Sequence, residues 1–252
     1  MSFRSYSHSG IRTGLLLLLL VFFNHHSFSQ QSQTLFGVGI RPGFPSRYFR
    51  TGPILFSDKN IDYSIVQKSG ISYGGFIRHG ITGRLSLETG ITYTKRNYEV
   101  SLQDSTFTGR DDFSIVGYEI PLNAIVNIQL GPEFWINAGL GGAIDVFPSD
   151  VATFDNYYVQ YSARKQKVNA AVTATLGAEW RDKSAGVIYA GFIYHRAVSS
   201  IYDTLVEYYP NRDPASAPSS TGRTLLEGDY FGIDLKYFFP WKQGEKKSAK
   251  TK

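Results

Sequence analysis

The sequence predicts an all-β chain folded as an eight-stranded antiparallel up-and-down transmembrane β-barrel, and three observations carry that prediction. Eight segments rich in Tyr, Phe, Ile, Val and Thr follow one another with no helical periodicity. The connections between them alternate short and long. When the segments are split by alternation, one face holds no charge.

At the N-terminus, Arg4 and Arg12 precede an apolar run from Leu15 to Phe23, without an acid. Nine apolar residues span only about 14 Å as a helix, half the hydrocarbon thickness, so the run reads as a signal peptide and not as an anchor. Ser27 and Ser29 suit small-x-small cleavage before Gln30, giving a leader over 1–29 and a barrel over 30–241. Residues 242–252 form a basic tail expected to be disordered and periplasmic. The chain has no cysteine, which excludes a lipid-modified N-terminal Cys, disulfides and thiolate metal sites together.

The net charge of +5 is local. Arg4 and Arg12 supply two of the five, and the tail, with five Lys and one Glu, supplies four more, so the body carries −1. No basic face is left for nucleic acid.

The eight strands are expected at 34–44, 70–79, 84–99, 113–129, 133–146, 167–180, 186–198 and 229–239. His79 to Arg84, Leu130 to Glu133 and Arg181 to Ala185 are tight turns, and the other four connections run from about a dozen to thirty residues. Short periplasmic turns and long external loops are the outer-membrane pattern, and an even strand count places both termini in the periplasm.

Strands three, four, five, six and eight carry the partition most clearly. One face includes Leu85, Leu87, Ile91, Ile120, Leu122, Val126, Leu140, Val172, Leu176, Ile233 and Leu235; its 26 positions hold no group charged at neutral pH. The opposite face has eight charged residues among 26, mixed with Gly, Asn and Thr. A soluble sandwich also alternates, but has no reason to purge one face so strictly, whereas a Lys or Arg at the bilayer midplane costs about 2–4 kcal/mol. Strands one and two are less regular, with Arg41 and Arg78 inward, and strand seven leaves its register open. Phe36, Phe134, Trp180, Tyr237, Phe239 and Trp241 at one end, with Tyr93, Tyr118 and Phe147 at the other, fit two interfacial belts.

Several motifs resemble a known family. The opening Phe36-Gly-Val-Gly-Ile-Arg41, the segment Tyr118-Glu-Ile-Pro-Leu122, the Gly-rich Trp135 to Ala143 and the closing Gly232-Ile-Asp-Leu-Lys-Tyr-Phe-Phe239 resemble the small PorT-like outer-membrane β-barrels of Bacteroidetes. The resemblance implies an outer-membrane barrel inserted by the barrel-assembly machinery, which reads a closing strand of this kind. It also implies, as an alternative, an accessory role in a secretion and gliding system. Such signals usually end on a terminal aromatic, whereas thirteen residues follow Phe239 here.

Catalytic chemistry has little support. His8, His25 and His26 fall in the leader; His79 and His195 belong at opposite barrel ends, so they cannot share a metal, and no cofactor is expected. A lipid A-modifying enzyme would need His195 beside Ser199 or Ser200 with an orienting acid such as Glu207, but extended chain holds His195 and Ser199 about 13 Å apart. The inward charges Arg41, Arg78, Arg84, Glu88, Glu119, Glu179, Asp234 and Lys236 balance, as paired groups filling a narrow lumen would, although a narrow channel is the alternative. The long loops hold Tyr48, Phe49 and Phe154, together with Tyr157, Tyr158, Tyr161, Tyr202, Tyr208 and Tyr209. These aromatics suit contact with lipopolysaccharide, glycan or an envelope protein, or fold back on the rim.

Overall fold

The computed structural model describes residues 33–45, 52–105, 107–155, 157–182, 184–212, 214 and 216–240. The expected leader and basic tail lie outside them, as do Tyr48, Phe49 and Trp241. In chain order the strands are β1 (Thr34–Phe44), β2 (Ile54–Asp58), β3 (Ile61–Gln67), β4 (Gly70–Gly80), β5 (Leu85–Gln103), β6 (Thr108–Gln129) and β7 (Phe134–Val146). They continue with β8 (Val151–Phe154), β9 (Tyr158–Arg164), β10 (Val168–Asp182), β11 (Gly186–Ala197), β12 (Tyr202–Tyr208), β13 (Ser220–Leu226) and β14 (Tyr230–Phe238).

Eight of these strands form the barrel wall. Antiparallel ladders run β1–β4–β5–β6–β7–β10–β11–β14, and β14 pairs back onto β1 with Gly37 opposite Phe238. The ladder returns to its starting strand, so each wall strand is paired on both sides, which a solvent without hydrogen-bonding groups demands. Short turns close one end. The Thr82 hydroxyl accepts the N–H groups of Arg84 and Leu85. Asp182 accepts those of Ser184 and Ala185, and Gly186 follows at φ 93°, a left-handed conformation that glycine adopts without strain.

The wall is apolar outside and polar inside. Leu122, Leu140 and Leu176 are 59%, 65% and 57% exposed, whereas Glu88, Glu119, Asn123, Asn127, Thr173 and Asp234 are buried in the lumen. The register of β11, open from sequence, is settled: Ile188 and Phe192 face out, and Tyr189, Ile193 and His195 face in. Small residues make room for the luminal groups. A side chain at Gly141 on β7 would strike the Asn123 amide and the Leu122 carbonyl.

Beyond the barrel, the expected long loops are folded as strands. β5 and β6 pair continuously to Gln103 and Thr108 and need only a short turn there, in place of a dozen-residue loop. The upper half of β5 pairs with β3, and β3 with β2, Lys59 at φ 48° and Asn60 at φ 66° making a two-residue primed turn between them. A separate sheet, β13–β12–β9–β8, comes from the remaining two connections. Both sheets bury apolar inner faces: Tyr63, Ile65, Val100, Leu102 and Ile115 on one side, Tyr158, Tyr202, Val206 and Leu226 on the other. This cap is a β-sandwich with its own core. Phe147 joins that core and not the interfacial belt, because it shares the inward parity of Asn137 and Asp145 on β7. Tyr73, Tyr93 and Tyr118 form the belt instead, with neighbouring ring centroids 5.2 and 5.9 Å apart.

Candidate functional site

Two places concentrate polar chemistry: the lumen and the cap. In the lumen, alternate residues of the wall strands point inward, and the register sets acids and bases side by side. Arg41 on β1 lies 2.9 Å from Asp234 on β14. Lys236, two residues further on the same strand, bridges Asp234 at 2.8 Å and Glu88 at 2.6 Å. Glu88 accepts from Arg78 at 2.6 Å, Arg78 also binds Glu179, and Arg181 closes on Glu179 at 2.6 Å. The result is a chain of alternating sign, Arg181–Glu179–Arg78–Glu88–Lys236–Asp234–Arg41, running through the barrel.

Aromatic faces line the same space. The Arg41 guanidinium and the Lys236 ammonium lie 4.6 and 4.8 Å from the Phe76 ring, and Arg78 lies 4.4 Å from Phe238. Such a network is a poor source of net stability, because each ion loses its water on burial. Removing one member is nevertheless costly, since the partners stay buried and uncompensated.

A second luminal cluster sits nearer the cap. Arg96 donates to Glu119 at 3.0 Å, Tyr230 donates to the other Glu119 oxygen at 2.8 Å, and His195 Nε2 lies 3.1 Å from Asp145. The His195 ring stacks on Tyr230, centroids 4.8 Å apart. Glu119 and Asp145 are directly opposite across the β6–β7 ladder. One ligand atom from each of Glu119, Asp145 and His195 lies within 4.8 Å of the other two.

Of the luminal charges expected from sequence, Arg41, Arg78, Glu88, Glu119, Glu179, Asp234 and Lys236 line this interior. Arg84 does not. It lies exposed in the turn, because Thr82 captures its N–H and the strand begins only at Leu85. Arg96, Asp145, His195 and Tyr230 were missed as luminal groups, yet inward parity continued along β5 and β7 leads to Arg96 and Asp145. His195 is buried in the lumen, away from any polar rim. It does not meet the serines an esterase would need: Ser199 donates to Asn169 at 3.1 Å, Ser200 to Glu227 at 3.4 Å, and Glu207 accepts from Tyr209 at 2.8 Å.

Most of the candidate contact aromatics fold back into the protein. Tyr158, Tyr202, Tyr208 and Tyr209 are buried in the cap, Tyr157 is half-buried against Phe107, and only Tyr161 of the six is exposed. The strands that the loops form turn these rings into core. The seam between β2 and β13 is held by side chains: Asp58 accepts the Thr221 N–H at 3.1 Å and the Ser220 hydroxyl at 2.9 Å, which keep its carboxyl below the usual range. On the outer face of the second sheet, Tyr161, Leu225 and Phe154 are exposed beside the Arg223–Asp203 pair.

No protein-family model matches the sequence, and no curated protein matches it. Among solved structures, the chain is similar to the outer membrane protein OprG from Pseudomonas aeruginosa, with a TM-score of 0.53 at 11% identity over 82% of this chain and 96% of that one. It also aligns with the transport unit of the autotransporter AIDA-I from Escherichia coli, at 14% identity over 95% and 100% of the two chains, but the TM-score of 0.32 is too low to argue from. The likeness to OprG is one of fold: the chain is an outer-membrane-type β-barrel.

Proposed function

We propose that the protein is a closed, non-enzymatic outer-membrane barrel whose wall serves as an anchor and whose cap is its working surface at the cell exterior. The observation that carries this reading is the pairing of a lumen threaded by ion pairs with a sandwich core directly beyond it. An eight-stranded barrel is only wide enough for its side chains, and here they neutralise one another. In this reading the turn end and both termini face the periplasm, and the cap meets lipopolysaccharide or an envelope protein through its exposed second sheet. Insertion proceeds through the barrel-assembly machinery acting on β14. Planar-bilayer recording tests the closed lumen: no stepwise conductance is expected, and reproducible channels would overturn it.

The PorT-like resemblance supports a narrower second reading, an accessory subunit of a secretion and gliding assembly. Of the motifs behind it, Phe36 to Arg41 and Gly232 to Phe238 lie on the adjacent strands β1 and β14, and Tyr118 to Leu122 and Trp135 to Ala143 on the adjacent strands β6 and β7. Crosslinking in native membranes followed by co-purification separates the readings. Recovery of a secretion-system subunit favours the second, and recovery of the barrel alone with lipopolysaccharide favours the first.

A further inference from the structure

We propose that the cap-side cluster of the lumen is a binding site for one divalent transition metal, zinc being the best fit, with His195 Nε2 and carboxylate oxygens of Asp145 and Glu119 as its ligands. The inference is independent of what the cap contacts. Its basis is a charge problem in the fold. Glu119 and Asp145 are directly opposed on adjacent strands and buried, at 2% and 1% exposure, where two like charges repel strongly. Arg96 faces both, but unequally: its Nη2 is 3.0 Å from Glu119 Oε1 and 3.9 Å from Asp145 Oδ2, beyond hydrogen-bond reach, while His195 Nε2 holds the other Asp145 oxygen at 3.1 Å. Asp145 Oδ2 has no hydrogen-bond partner among the described residues. A buried carboxylate oxygen left in that state is a place for a cation.

The third ligand decides which cation. Imidazole with two carboxylates suits zinc and its neighbours better than calcium or magnesium, which take oxygen alone. Zinc bonds of about 2.0–2.2 Å set tetrahedral donors ~3.4 Å apart, so atoms now within 4.8 Å have a short distance to close. Coordination through Nε2 requires the ring proton to sit on Nδ1, which has no partner among the described residues; the Nε2 contact with Asp145 Oδ1 is given up, and the metal takes its place between the two groups. Stacking on Tyr230, whose hydroxyl fixes Glu119, already holds the imidazole plane. With a neutral imidazole, the two carboxylates and Arg96 leave the cluster one negative charge, which a dication reverses.

The test uses the exported full-length protein refolded into detergent micelles with zinc or cobalt present, so that entry past the ion-pair chain is not limiting, followed by removal of free metal. Bound metal near one per folded barrel, a cobalt visible spectrum of a low-coordinate N/O site and a higher Tm than the metal-free refold are expected. Asp145→Asn and His195→Gln should each lower occupancy at least tenfold. Heat-modifiable gel mobility establishes that a variant has folded; should one not fold, Glu119→Gln and the wild-type cobalt spectrum decide the matter. Folded wild-type protein without stoichiometric metal, or variants that retain it, would overturn the proposal.

Discussion

The barrel and the cap share two strands, β5 and β6, and along both of them the chemistry reverses. Along β5 the inward positions are Ser86, Glu88, Thr92, Thr94 and Arg96, and then Tyr98, Val100 and Leu102; outward, Leu87, Ile91 and Tyr93 give way to Lys95, Asn97 and Glu99. On β6 the same exchange places Ile115 and Phe113 inside above Glu119 and Asn123. The changeover falls where Lys95 pairs with Val116. Backbone and parity are continuous, so only the solvent has changed. From Leu85 to Lys95 the strand rises about 26 Å along the barrel axis at the usual tilt, the height of an outer-membrane apolar band. The contrast teaches that a strand's polar face points away from hydrocarbon and its apolar face away from water, whichever of these is inside.

The sharpest way to break this contrast is to unbalance the lumen. Glu88→Ala leaves Arg78 and Lys236 facing each other in a buried site and is expected to cost about 3–5 kcal/mol in urea unfolding from lipid vesicles. Next is Leu122→Arg on the lipid side, expected to cost about 2–4 kcal/mol in the same assay. A charge at Leu225, exposed on the cap, should be nearly neutral, because that surface faces water. Ile115→Val, in the cap core, should cost about 0.5–1.5 kcal/mol and raise protease cutting of the cap while the barrel stays protected.

The smallest effect concerns pH. The folded Asp58 carboxyl lies below its unfolded value, so its contribution to the β2–β13 seam is complete at neutral pH and is lost as the pH falls below about 4. Hydrogen exchange at Thr221 should rise over that range. In Asp58→Asn the acid-dependent step should be absent.

Much of the barrel was legible because its signal is a filter: a single charge on the outward face is expensive, so 26 positions without one is information. The cap was written in the same alphabet but overlooked. Ile61-Asp-Tyr-Ser-Ile-Val-Gln67 and Tyr202-Asp-Thr-Leu-Val-Glu-Tyr208 alternate with period two, yet such short runs lie between Gly, Pro and Ser and look like loop. Whether a tyrosine there is a contact residue or core depends on which sheet folds over it, a long-range pairing that no local pattern states. Parity found most luminal charges and would have reached Asp145 and Arg96. The meeting of Glu119, Asp145 and His195 could not be read, because it depends on the relative stagger of β6, β7 and β11.

The lipid-facing assignment is the claim on which the rest stands, and the absence of cysteine makes it directly measurable. Single substitutions Leu122→Cys, Val172→Cys and Leu235→Cys on the wall, with Leu225→Cys and Phe154→Cys on the cap, can each carry a fluorophore in vesicles containing brominated lipid. Strong quenching at the three wall positions and none at the two cap positions is the predicted result. Unquenched wall positions, or quenching at Leu225 and Phe154 equal to that at Leu122, would contradict it.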